Sequence, residues 1–270
     1  MPRPPLRVGL AGLGTVGREV ARRLEAGIAG LVLTAVAVRD RDKARRNLPR
    51  LGLGIAVSDL ADLARQCDVV VECLPAAFFR AVAVPAVEEG KIFMPLSVGQ
   101  LLENFDLVER ARATGARILV PTGALIGLDA VRAAAEGEIR SVRMVTRKPP
   151  RSLEGAPFLL EHGISLEHLT APLKVFDGSA RAGARGFPAN LNVAAALSLA
   201  GIGPDRTRLE IWADPALERN VHTIEVDADS ARFTMTIENV QSENPRTGKI
   251  TALSVVAALR GLVSELKVGS

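Results

Sequence analysis

Through the first 121 residues, short apolar runs alternate with stretches whose apolar positions recur at helical spacing. Arg7-Val8-Gly9-Leu10-Ala11 breaks into glycines and continues as the helix-like Arg18-Glu19-Val20-Ala21-Arg22-Arg23-Leu24, which reads as strand, tight turn and helix. Further apolar runs follow at Leu31 to Val38, Val69 to Val71, Ile92 to Met94 and Ile118 to Val120. Runs of this kind, bounded by polar residues, suit strands buried on both faces of a parallel sheet. The segments between them predict helices: a capped amphipathic one from Ser58 to Leu63, one through Phe79 to Glu89 closed by Gly90, and one ending at Gly115. The repeated alternation predicts a doubly wound α/β sheet over residues 6 to 121.

At Thr122-Gly123-Ala124 the alternation stops. A helix-like Leu128 to Ala135 precedes a strand-like Ile139 to Thr146, and the stretch from Pro149 to Pro172 reads as a loop with a short helix. Three later segments alternate like antiparallel strands: Arg208 to Trp212, Val221 to Val226 and Ala231 to Ile237. The second half is therefore expected to be an α+β domain whose sheet is open on one face, a surface suited to a homodimer. Ile250 to Leu259 has helical periodicity and is expected to close the chain by packing back on the first domain near the glycine turn. The expected domains are residues 1–122, 123–248 and a C-terminal helix in 249–270.

The glycine turn Gly12-Leu13-Gly14-Thr15-Val16-Gly17 fits G-x-G-x-x-G inside a βαβ unit, the context of a Rossmann dinucleotide site. The first glycine permits the turn, the second lets a pyrophosphate approach the backbone, and the third lets helix and strand pack closely. A diphosphate there meets the free N–H groups and the positive end of a helix dipole. Asp40 lies 23 residues after Gly17, where a ribose hydroxyl is held, and it stands beside Arg39 and Arg41, which offer a grip on a 2′-phosphate. Arg39, Arg41, Lys43, Arg45, Arg46 and Arg50 also read as a solvated helix face, so both NAD and NADP are expected to bind. Cys73-Leu74-Pro75, at the C-terminal end of a strand, is expected to face the cofactor, with Cys73 as a packing residue rather than a nucleophile.

Composition narrows the class. A chain of 270 residues with 48% hydrophobic and 24% charged residues is long enough for two folded domains. No apolar run reaches bilayer length and the N-terminus lacks a signal peptide's apolar centre, so no membrane association is expected and the cytoplasm is the expected location. The net charge of +4 comes without a basic tract interleaved with aromatics, which argues against nucleic acid. Cys67 and Cys73 form no disulfide framework, and no cysteine–histidine spacing suits a metal.

A nicotinamide dehydrogenase needs a group that moves a proton, and a histidine suits that work at neutral pH. Of the three histidines, His162 and His168 lie in the irregular stretch, whereas His222 follows Asn220 at a strand start. His222 reads equally as a catalyst and as a hydrogen-bonded structural histidine. Arg147 and Lys148, before Pro149-Pro150, are candidate partners for substrate carboxylates, or merely solvated cations in front of a rigid turn.

The chain also resembles a family, the L-aspartate dehydrogenases of NAD biosynthesis. The resemblance runs from the glycine turn through Leu96-Ser97-Val98-Gly99, Val120-Pro121-Thr122-Gly123-Ala124, Gly127-Leu128-Asp129 and Thr146-Arg147-Lys148-Pro149-Pro150. It continues in Phe187-Pro188-Ala189-Asn190-Leu191-Asn192, Ala213-Asp214-Pro215, Asn220-Val221-His222 and Glu243-Asn244-Pro245-Arg246-Thr247-Gly248. It implies NAD(P)-dependent oxidation of L-aspartate to iminosuccinate, or the reverse from oxaloacetate and ammonia. His222 matches the family's catalytic histidine, Ala124 and Asn190 match its cofactor contacts, Asn192 is a second candidate for such a contact, and Asn220 is a candidate substrate contact. Thr122, Gln100, Ile126 and Gln241 depart from the family's usual residues and are positions where the site is expected to differ. Competing readings are a two-domain reductase of the dihydrodipicolinate-reductase or homoserine-dehydrogenase type, and a non-catalytic NAD(P) redox sensor.

Overall fold

The computed structural model describes residues 4–48, 53–188, 191–243 and 248–269. The chain divides into two compact units, Met1–Pro121 with Thr251–Lys267, and Thr122–Ile250 with Val268–Ser270.

The first unit is built on β1 (Leu6–Ala11), α1 (Thr15–Glu25), β2 (Leu31–Ala37), α2 (Arg41–Asn47), β3 (Ala56–Ser58), β4 (Val69–Glu72), α3 (Phe79–Glu88), β5 (Ile92–Pro95), α4 (Asp106–Thr114) and β6 (Arg117–Ile118). Its six strands run in the order β3-β2-β1-β4-β5-β6, and the pairings are parallel. The chain steps outward on one side of β1 and then crosses to the other, so the strand order reverses between β1 and β4. Ligands of such sheets bind beyond the strand C-termini at that switch point. Val8, Leu10, Val36, Val69, Val71 and Met94 form the core with Val20 and Leu24 of α1. The last helix of the chain, Ile250–Gly261, adds Ala252, Val255, Val256 and Leu259 to the same core, with Leu13 and Val16 of the glycine turn packed against it.

One predicted helix is corrected. Ser58 to Leu63 is not helical: Ala56–Ser58 is a short strand, and a 3-10 turn begins only at Leu63 and ends at Gln66. Parallel pairing of Ala56, Val57 and Ser58 with Ala35, Val36 and Ala37 outweighs the local capping signal.

The second unit contains α5 (Leu128–Ala135), β7 (Ile139–Lys148), α6 (Pro157–Glu161), β8 (Leu173–Ser179), α7 (Ala180–Gly186), α8 (Asn192–Ala200), β9 (Thr207–Ala213), β10 (Asn220–Ala228) and β11 (Arg232–Asn239), so the closing helix is α9. The sheet order is β11-β10-β7-β9-β8. The expected antiparallel pattern is corrected at its centre, where β7 and β9 pair in parallel. The chain reaches β9 only after β8, α7 and α8, a crossover long enough to return it in the same direction. Met144, Ile224, Val226 and Leu209 pack on one face against Val131, Ala134, Ala194 and Leu197 of α5 and α8.

The other face carries charges. Arg143 donates to Glu210 at 2.9 and 3.0 Å and to Glu225 at 2.8 Å, while Arg208 grips Asp177 at 2.9 and 3.0 Å. Glu210 is buried beneath its partners, while the exposed Arg208–Asp177 pair contributes about 0.2–1 kcal/mol and fixes the pattern of the face more than it stabilises the fold. Among the described residues, no helix is long and apolar enough to cross a membrane, and no group of metal-ligating side chains is present.

Candidate active site

The glycine turn has the shape a dinucleotide needs. Gly12 has φ +98°, and a Cβ there would meet Leu74 Cδ2 at 2.8 Å and the Cys73 carbonyl oxygen at 2.9 Å. A Cβ on Gly17 would overlap the Gly12 carbonyl oxygen, whereas one on Gly14 would project into open space. The outer two glycines thus serve close packing, and the middle one leaves the backbone approachable. Gly14 is the N-cap of α1, no side chain caps that end, and the first turn carries no acidic residue. Its backbone N–H groups and dipole are therefore directed at an anion rather than at the protein's own carboxylates. Thr15 lies half-buried in this first turn. The residues present fit a dinucleotide.

Arg39 and Asp40 follow β2 and are exposed. Asp40 caps α2, its Oδ1 accepting the Lys43 N–H at 2.9 Å. One oxygen is committed to the helix, and the carboxylate stands at the end of β2 where a ribose is bound in this fold. The cationic run after Asp40 is a solvated helix face over Arg41 to Arg46, while Arg50 lies outside the described residues. At the end of β4, burial and the neighbouring Glu72 push the Cys73 thiol upward, so it is an unreactive packing group. The backbone N–H of Leu74 donates to Glu72 at 2.8 Å, and Pro75 opens a 3-10 turn over Ala76–Phe78.

In the second unit the chemistry collects at one end of the sheet. His222 on β10 is buried, and its register partner on β7 is Thr146, whose Oγ1 lies 3.1 Å from the imidazole Nδ1. Burial pushes the His222 pKa down to about 3, with the Lys148 ammonium adding to the effect. The ring is therefore neutral at physiological pH. In the tautomer whose Nδ1–H donates to Thr146 Oγ1, Nε2 keeps its lone pair for a proton.

Strand alternation decides which predicted residues share this face. Thr146 and Lys148 on β7 and Asn220 and His222 on β10 are all buried on the helix-covered side. Arg147 points the other way: its guanidinium lies 4.8 Å from the Trp212 ring centroid and 3.6 Å from Asp214. The structure thus brings Lys148 and Asn220 to His222 and places Arg147 on the open face.

Ala124 is half-buried and its carbonyl accepts the Asn239 Nδ2 at 3.0 Å. Asn239 pairs with Asn220 across β10 and β11, and both side-chain carbonyl oxygens are buried without a donor. Asn192 begins α8 and is half-buried, whereas Asn190 lies outside the described residues. Of the positions that depart from the family pattern, Ile126 is exposed, Thr122 is half-buried, and the Gln100 carbonyl accepts Asn104 Nδ2 at 2.7 Å. Gln241 accepts from Arg151 at 3.4 Å.

Thr146, Asn239 and Glu72 acquire roles that the sequence reading did not give them. Thr146 lies 76 residues from His222, and no local pattern joins the two. Asn239 was reachable: the Asp229-Ser230 turn, closed by the Ala228 N–H donating to Ala231 at 2.9 Å, sets a register that places 220 opposite 239.

Comparison with known proteins agrees with both halves. Residues 12–121 match a family model described as homoserine dehydrogenase, NAD binding domain, and residues 129–262 match one described as aspartate dehydrogenase, C-terminal. An L-aspartate dehydrogenase of Bradyrhizobium diazoefficiens is 58% identical, covering 98% of this chain and 94% of its own length. L-aspartate dehydrogenase 3 of Bordetella bronchiseptica is 52% identical over 99% of each chain. A crystal structure of aspartate dehydrogenase from Thermotoga maritima superposes with a TM-score of 0.77 at 22% identity, covering 98% of this chain and 99% of that one, and shows the same fold. On this identity and coverage, the chain belongs to the L-aspartate dehydrogenase family.

Proposed function

We propose that this protein oxidises L-aspartate to iminosuccinate with NAD or NADP, and in reverse reduces the imine formed from oxaloacetate and ammonia. The observation that carries the reading is a neutral, buried His222 on the same sheet face as the buried cation Lys148. A dicarboxylic amino acid needs both a counter-charge for carboxylate and a base for its ammonium.

The glycine turn and Asp40 would hold the dinucleotide, with Ala124, Asn190 and Asn192 as further contacts in the family's pattern. When bound, the dinucleotide supplies the acceptor for the hydride that leaves Cα. The chain's own part is proton transfer and placement. Lys148 and Asn220 hold the substrate, and His222 Nε2 takes a proton from its ammonium. The freed amine lone pair then assists departure of the hydride from Cα. A carboxylate beside Lys148 offsets the cation that depresses His222, so substrate binding itself raises the base's proton affinity. Thr146 holds the ring in place. In the reverse direction protonated His222 returns the proton to nitrogen.

The deciding experiment is the absorbance of reduced nicotinamide on mixing the protein with L-aspartate and either NAD or NADP, and with oxaloacetate plus ammonia in reverse. Turnover is expected, with both cofactors accepted. Cofactor binding without turnover in either direction would overturn the proposal in favour of a redox sensor. The free thiols of Cys67 and Cys73 suit a reducing compartment, and the cytoplasm is the location we assign.

The oligomer proposed is a homodimer through the open sheet face. That face presents Arg143, Arg208 and Arg147 among Glu210, Glu225 and Asp177, mixed charges that complement a second copy rotated by half a turn. Light scattering is expected to give twice the chain mass of 28.6 kDa, and a monomer at micromolar concentration would exclude the dimer.

A further inference from the structure

Glu72 ends β4 with its side chain wholly buried, and carboxylates are rarely placed so unless their oxygens are satisfied. Its Oε1 accepts the Leu74 N–H at 2.8 Å and stands 3.2 Å from Ser97 Oγ. Its Oε2 accepts the Ser97 N–H at 2.9 Å and the Leu96 N–H at 3.2 Å. The Ser97 hydroxyl also lies 3.2 Å from the Leu74 carbonyl oxygen. One buried carboxylate therefore ties the loop after β4 to the loop after β5. Burial lifts its pKa above the ordinary carboxylate value, against the pull of these donors.

Both loops leave strand C-termini on the β4 side of the switch point. The first of them forms a wall of the glycine turn, because Leu74 Cδ2 and the Cys73 carbonyl are the atoms a Cβ on Gly12 would meet. The diphosphate is expected at the start of α1 and the adenosine ribose at the end of β2, on the other side of the switch point from these two loops.

We infer that Glu72 is a positioning residue that fixes the Cys73-Leu74-Pro75 loop against the glycine turn and so sets the seat of the nicotinamide half of the cofactor. This rests on the NAD(P)-dependent reading above. Glu72 does not touch the reacting atoms. It acts through Leu74 and Ser97, and its role is separable from plain stability because it bears on one half of the ligand only.

The test compares NADH with ADP-ribose, which lacks the nicotinamide, as ligands of the full-length wild type, Glu72→Gln and Ser97→Ala proteins, by calorimetry. Glutamine is the same size but sets an NH2 against a backbone N–H in either orientation, while Ser97→Ala removes only the hydroxyl. Glu72→Gln is expected to weaken NADH about tenfold and to leave ADP-ribose within about twofold, with Ser97→Ala moving NADH in the same direction by about threefold. NADH affinity unchanged in both variants, or equal losses for both ligands, would overturn the inference. Should Glu72→Gln not fold, Ser97→Ala decides by the same contrast. A wild type that binds NADH but does not turn over L-aspartate would defeat the proposed reaction and leave this binding contrast readable.

Discussion

His222→Ala is expected to lower kcat for L-aspartate oxidation by about 10²- to 10⁴-fold, the usual contribution of a positioned general base. NADH affinity is expected to stay within about twofold, because the proposed role of the imidazole is toward substrate rather than the phosphates or adenosine. Steady-state rates with a parallel NADH titration check both halves. A variant with near-normal kcat would return His222 to the structural reading that its Thr146 hydrogen bond alone allows.

The same residue predicts a pH dependence of stability. Its pKa is about 3 in the folded protein against an ordinary 6.5. Between those values the unfolded chain binds the proton and the folded one does not, so stability falls as pH drops through that window, by up to about 1.4 kcal/mol per unit. Above 6.5 this group contributes no slope. His222→Gln removes the proton site while keeping a polar side chain opposite Thr146. Urea unfolding at pH 6.5 and pH 5 is expected to cost the wild type about 1–2 kcal/mol more than the variant. Carboxylates such as Glu19 and Asp177, held low by their arginine and lysine partners, are common to both proteins and cancel in the comparison. Equal losses would mean that the imidazole takes its proton freely within the fold.

How much of this was legible follows from where each signal lies along the chain. The glycine turn is local: strand, turn and helix sit within a few residues, and each glycine has a steric reason that can be named in advance. His222 stands on a strand with clean period-2 alternation, so its inward face was readable. β8 was not, because a register shift between Lys174 and Phe176 puts Val175 and Phe176, neighbours in sequence, both into the core. The Thr146 contact and the Glu72 cage join residues 76 and 25 apart through tertiary structure, beyond any local pattern. Arg147 and Lys148 show the limit most sharply. Chemistry favours either cation, and only the register of β7 against β10 tells which one shares a face with the histidine.

Lys148→Met is accordingly the second large effect expected, and it differs in kind from the first. Methionine keeps the length and bulk of the stem, so the buried packing survives while the charge is lost. If Lys148 holds a substrate carboxylate, losing a charge-assisted bond raises KM for L-aspartate about 10- to 100-fold with a smaller change in kcat. Two further readouts separate binding from general damage. Removing the ammonium relieves one of the two causes that depress His222, so the acid limb of the kcat/KM profile is expected to move to higher pH. Arg147→Met, one residue away but on the open face over Trp212, is expected to leave KM within about twofold. Equal KM changes in the two variants would remove Lys148 from the substrate site and leave the carboxylates to be held by the asparagine pair of β10 and β11.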